Sequence, residues 1–162
     1  MHFTWPLVGV VIAVLLPGDA LAGALEDCAA AFARQDYAAA LRLCRPLAEQ
    51  DDVRSQTSLG GMYYNGQGVR RDYAEATKWV RKAAERGYAP AQAYLGIMYW
   101  NGQGVPRDAV LAYMWLDLAA TQEPDAAAER DEAASEMAPD EIAEAQRLAR
   151  EWKAKQAATP SP

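Results

Sequence analysis

Histidine is almost absent from this 162-residue chain: His2 is the only one. It falls in an N-terminal stretch read below as removable, so the rest of the chain lacks an imidazole. That excludes Ser-His-Asp and Cys-His nucleophiles and His-ligated zinc. Strand formers are scarce too, with two Phe and three Ile against 35 Ala. Alanine loses the least entropy in a helix and β-branched residues favour strands, so an all-α chain is expected. Positive charge is in deficit, with 16 Lys+Arg facing 22 Asp+Glu for a net charge of −6. A nucleic-acid partner needs a clustered basic face to neutralise phosphates, and this balance argues against one.

Long apolar runs are also missing. Phe3 to Leu16 is the nearest to one, and it falls short of the roughly 20 residues that span a bilayer. Pro17-Gly18-Asp19 follows, then Ala20-Leu21-Ala22 ahead of Gly23. An apolar core before a small-x-small triplet is what a signal peptidase reads. Residues 1–22 are therefore expected to be a cleaved signal peptide, although no Lys or Arg precedes the apolar core. The alternative is a retained membrane anchor. Cleavage would leave a periplasmic or secreted bacterial protein without stable membrane insertion.

There are two cysteines, Cys28 and Cys44, either side of Arg34-Gln35-Asp36. An antiparallel helix pair folded about position 36 sets them opposite one another, so a disulfide fits both the geometry and an oxidising compartment. Two buried free thiols are the alternative for a chain that is not exported. CxxC spacing and a histidine partner are both lacking, which leaves no support for a catalytic or metal role.

Repetition is what the chain has in abundance. Residues 55–90 laid over 91–126 without a gap agree at 16 of 36 positions. Leu59-Gly60, Met62-Tyr63 and Asn65-Gly66-Gln67-Gly68-Val69 return as Leu95-Gly96, Met98-Tyr99 and Asn101-Gly102-Gln103-Gly104-Val105. Asp72, Ala76, Trp79 and Ala83-Ala84 return as Asp108, Ala112, Trp115 and Ala119-Ala120. Each unit reads as two helices. Leu59, Met62 and Tyr63 share a side of the first, which Asn65-Gly66 ends. Val69 plugs the space between the helices. Asp72 caps the second helix, with Glu75 completing a capping box, and Ala76, Trp79, Ala83 and Ala84 face inward.

These residues resemble the Sel-1-like repeat, a relative of the tetratricopeptide repeat. Its pattern is roughly A-x-x-x-L-G-x-x-Y-x-x-G-x-G-V-x-x-D-x-x-x-A-x-x-W-x-x-x-A-A. Ser55 stands where the pattern opens with Ala, and Glu123-Pro124 replaces the Gly-x of the next junction. The resemblance implies a right-handed α-solenoid of stacked antiparallel hairpins. Residues 23–54 would form a degenerate N-terminal hairpin, 55–90 and 91–126 the full repeats, and 127–156 a C-terminal capping hairpin. Residues 157–162 would be a disordered tail.

Function is less legible than fold. Tyr64 and Trp100 occupy the same repeat position, and Ala93, Ile97 and Trp100 form an i, i+4, i+7 stripe. First helices line the concave side of such superhelices. Tyr64, Ile97 and Trp100 are thus candidate partner-binding residues, with Gln56 and Gln92 orienting the partner and Tyr94 beside them. The competing reading is that Tyr64 and Trp100 only cover seams between repeats. The N-G-Q-G-V segment follows no strand and brings no Lys to a phosphate, so it reads as a turn. Glu123, Asp125, Glu129, Asp131 and Glu132 lack EF-hand spacing and read as a solvated helix start. Arg147, Arg150, Lys153 and Lys155 likewise read as a solvated face. The resemblance implies an exported scaffold or adaptor for a protein or peptide, without cofactor or chemistry. The alternatives are an envelope protein binding a small molecule or cell-wall fragment, a hydrolase, or a regulatory subunit.

Overall fold

The computed structural model describes residues 17–158, and the apolar part of the expected leader lies outside them. Eight helices follow in chain order: α1 (Pro17–Ala33), α2 (Tyr37–Glu49), α3 (Val53–Asn65), α4 (Tyr73–Glu85), α5 (Ala89–Asn101), α6 (Ala109–Ala119), α7 (Pro124–Ser135) and α8 (Pro139–Ala158). Among the described residues there is no strand, and no helix is long and apolar enough to cross a membrane.

The apolar stripe of each helix sets the stacking. Leu59, Met62, Leu95 and Met98 are fully buried, and Ala76, Trp79, Ala83 and Ala84 line the inner face of α4 as their spacing requires. Glycines let the paired helices approach. An added Cβ at Gly60 would lie 2.5 Å from the Val80 Cγ2, and at Gly96 it would lie 2.7 Å from the Leu116 Cγ. The loops then dock each unit on the one before it. Gly68 and Gly104 sit at φ +70° and +74° against the main-chain carbonyls of Tyr37 and Tyr73, the opening residues of α2 and α4. Val69 packs with the cluster of α1, α2 and Met62, so it fills the joint to the preceding hairpin.

Polar links repeat with the same period. The Arg45 guanidinium donates to the Tyr63 hydroxyl at 2.8 Å and Arg81 to that of Tyr99 at 2.9 Å, joining α2 to α3 and α4 to α5. One period on, the position holds Asp117, and the polarity reverses: Arg130 of α7 reaches it at 3.2 Å. The last carbonyls of a helix have no partner within it. The Gln56 amide donates to the Ala48 carbonyl at 3.0 Å and Gln92 to that of Ala84 at 3.2 Å, closing two such ends.

The expected capping box is half made. Asp72 accepts from the Ala74 and Glu75 amides at 2.9 and 3.0 Å. Its own N–H already donates to the Tyr63 carbonyl, so Glu75 has nothing to return to and pairs with Lys78 at 3.2 Å. In the second copy Leu111 stands in place of Glu75 and Asp108 caps alone, accepting from the Leu111 amide at 2.9 Å.

The two ends differ: the first hairpin keeps the stacked pattern, and the last two helices do not. Cys28 and Cys44 are joined, with sulfurs 2.11 Å and Cα atoms 5.2 Å apart, fastening α1 to α2. At the other end α7 and α8 each dock on α6 and share no substantial interface. The reason is compositional. Helix α6 buries Ala112 through Leu116, Leu118 and Ala119, more than one stripe can cover, while α7 and α8 each bury only two alanines. Helix α7 also starts at Pro124, inside the span 91–126 assigned to a repeat, and α8 continues through residues 157 and 158.

Candidate functional site

Odd-numbered helices form one side of the array, and their seams hold the candidate residues. Between α3 and α5, Tyr64 stacks edge-on with Tyr73 at 5.2 Å and with Tyr94 at 6.3 Å between ring centroids. Its hydroxyl donates to the Gln103 side-chain carbonyl at 2.5 Å. Gln67, one repeat earlier, finds no such donor, because the matching position holds the disulfide-bonded Cys28. Tyr64 therefore serves chiefly to close the seam, while Tyr94 beside it is 38% exposed.

Burial pushes the Tyr64 hydroxyl above the ordinary phenol value near 10. The unfolded chain thus gives up this proton first as pH rises. Stability carried by Tyr64 is complete below about pH 10 and is lost as pH climbs through the higher folded-state value. The Tyr64→Phe variant should show a shallower alkaline fall in thermal midpoint than the parent chain. Parallel curves across that range would remove Tyr64 from this role.

Between α5 and α7 the surface opens instead. Ile97, Trp100 and Leu116 floor a cavity of about 220 Å³, with Asn101, Glu129, Glu132 and Ala133 around it. Trp100 is held from one side: the Arg107 guanidinium lies 4.7 Å from its ring centroid and donates through Nε to the Trp100 carbonyl at 3.0 Å. Ile97 and Ala93 pack on the buried cluster of Leu116, Ala119 and Ala126. The i, i+4, i+7 stripe therefore runs from a core contact at Ala93 to an open edge at Trp100.

The glutamines do not belong to this surface. Gln56 is 0% and Gln92 2% exposed, and their amides serve the helix ends described above. Their expected role in orienting a partner is withdrawn, since a side chain without surface cannot reach one. Among the described residues no three His, Cys, Asp or Glu side chains gather to hold a metal ion. Arg147 bridges Glu144 and Glu151 on exposed α8, a pairing of small energetic weight at a solvated surface.

Residues 53–88 and 89–124 each match the Sel1 repeat. The chain carries two Sel1 repeats. Their frame begins two residues before the 55–90 and 91–126 alignment, at the first residues of α3 and α5. The crystal structure of a protective antigen present in uropathogenic Escherichia coli strains, displaying an SLR fold, superposes on 88% of this chain. The TM-score is 0.77, with 26% identity, and 33% of that protein is covered. A Sel1 repeat protein from Oxalobacter formigenes matches 72% of the chain with a TM-score of 0.62 and 25% identity, over 51% of its own length. The chain thus spans about a third to a half of these relatives. No curated protein matches it. Sel1-repeat proteins are generally protein-interaction scaffolds and typically not enzymes.

Sequence reasoning missed the acidic side of the cavity. Glu129 and Glu132 read as a solvated helix start, and no repeat identity past residue 126 showed which helix they would face. The alternation of first and second helices was the available signal, because it places α7 beside α5.

Proposed function

We propose that this Sel1-repeat chain is an exported scaffold that binds a segment of a protein partner on the face formed by α3, α5 and α7. The observation that carries this reading is the open cavity at Trp100 and Ile97. Cores rarely leave a large aromatic at the edge of a hole, whereas such anchors dominate binding surfaces. At about 220 Å³ the cavity is below the roughly 300–1,000 Å³ of small-molecule sites, which favours a side chain of a partner over a free ligand. Exposed Tyr94 extends the surface towards α3, with Tyr64 closing the seam behind it.

Export is supported by the joined cysteines and by the character of the first turns of α1. Leu21 is 44% exposed and residues 20–22 lie outside every buried cluster, so their removal would leave the packing of Leu25, Cys28 and Ala31 intact. Intact mass of the protein from its native cell should show cleavage after Ala22. An uncleaved N-terminus would refute export by this route.

A photo-crosslinking amino acid placed at Tyr94 should yield a discrete adduct in the native cell. The same probe at Arg42 on α2 should not. Trp100→Ala should abolish the Tyr94 adduct while leaving helical circular dichroism unchanged. Equal labelling from both positions would refute a binding face here, and loss of helicity in Trp100→Ala would place Trp100 in the core.

A further inference from the structure

Charge is distributed unevenly around the cavity. Helix α5 has no charged residue, and α7 has four acids, Asp125, Glu129, Asp131 and Glu132, against the single base Arg130. That base is already taken: its guanidinium reaches Asp131 at 2.8 Å and Asp117 at 3.2 Å. Glu129 and Glu132 line the cavity, and their carboxylates make no hydrogen bond or ion pair among the described residues. Arg107 stacks on Trp100 but does not line the hole. The cavity thus has an apolar aromatic floor and two unneutralised carboxylates at its rim.

Resting on the scaffold reading, we propose that this cavity takes a lysine or arginine side chain from a basic, aliphatic-rich segment of the partner protein. Such a side chain has two parts that need different surroundings. Its methylene stem can lie on Ile97, Leu116 and the Trp100 ring, while its charged head stays at the wet rim beside Glu129 and Glu132. A purely apolar side chain would fill the floor but leave two carboxylates partly desolvated without compensation. An acidic segment would meet like charge. Complementarity therefore selects a basic partner, and the chain's net charge of −6 steers the same class of partner from a distance.

The test uses the full chain and three short fluorescent peptides of equal length. One alternates Leu with Lys and Arg, the second replaces every Lys and Arg by Gln, and the third replaces them by Glu. Anisotropy titration should show the basic peptide binding about tenfold or more tightly than the Gln peptide and the Glu peptide not at all, with the preference weakened by salt. Glu129→Gln/Glu132→Gln should remove about tenfold of the affinity for the basic peptide. Glu49→Gln/Glu85→Gln on α2 and α4 changes net charge equally and should change affinity less than twofold.

Equal loss in the two double variants would mean diffuse attraction and overturn the inference. So would equal binding of the Gln and basic peptides. If Trp100→Ala then abolishes Gln-peptide binding, the binding face survives without its charge preference. Binding of none of the three also overturns this inference, and the Tyr94 crosslinks then decide the scaffold reading separately.

Discussion

Replacing Gly104 by alanine should cost this protein a large part of its stability. A Cβ there would lie 2.1 Å from the Tyr73 carbonyl oxygen and 2.4 Å from the Thr77 hydroxyl, at φ +74°. Two penalties combine: a non-glycine residue held left-handed costs about 1–3 kcal/mol, and overpacking about 1–3 kcal/mol more. The obstacle is main chain in the first turn of α4, so it cannot swing aside as a flexible side-chain tip would. Domains of this size are stable by only about 5–15 kcal/mol, so the denaturant midpoint should fall steeply. Gly61 supplies the contrast on a helix interior. An added Cβ there meets nothing within 4 Å, so Gly61→Ala should stabilise by about 0.5–1 kcal/mol through helix propensity alone. Equal effects from the two substitutions would contradict the docking of the loop on α4.

Removing the Cys28–Cys44 bond should be the second large effect. The bond closes a loop with a sequence separation of 16, for which the chain-entropy argument gives about 3 kcal/mol. The Cys28→Ser/Cys44→Ser variant should unfold at lower denaturant than the oxidised parent, and adding reductant should bring the parent to nearly the same midpoint. The loss should also be local. Hydrogen exchange should quicken in α1 and α2 well before α5 and α6, since the first hairpin packs mainly on α3, the loop after it and Trp79 of α4, and lies away from α5 and α6. A uniform rise along the chain would mean that the array unfolds as one cooperative unit.

The repeat made the fold readable before any coordinates. Sixteen identities at one spacing locate Leu59, Met62, Leu95 and Met98 in the core and Asp72 and Asp108 at caps, because a stacked repeat must bury the same positions each time. The same periodicity misled at Gln56 and Gln92. A polar residue repeated on the first helix suits a binding surface and a buried helix-end partner equally well, and only three-dimensional burial distinguishes them. Tyr64 and Trp100 share a repeat position yet part company. Tyr64 has α5 and Gln103 to close against, whereas Trp100 faces α7, whose slim Ala133 leaves the hole open. Past residue 126 the periodicity stops. The splayed docking of α7 and α8 on α6 then depended on how much apolar surface α6 had left to cover, which spacing alone does not count.

Every substantial helix interface joins elements one or two places apart in the chain. That arrangement lets the protein be built in the order in which it is threaded out. A segment leaving a ribosome or a secretion pore needs only the residues just ahead of it to find its partners, so no half-made sheet edge or distant strand must wait exposed. The loops at Gly68 and Gly104 give the process a direction, since each settles on the opening turn of a helix that emerged earlier. Growth can therefore proceed by accretion onto the disulfide-fastened first hairpin, and the last helices to arrive cover the surface that α6 leaves open.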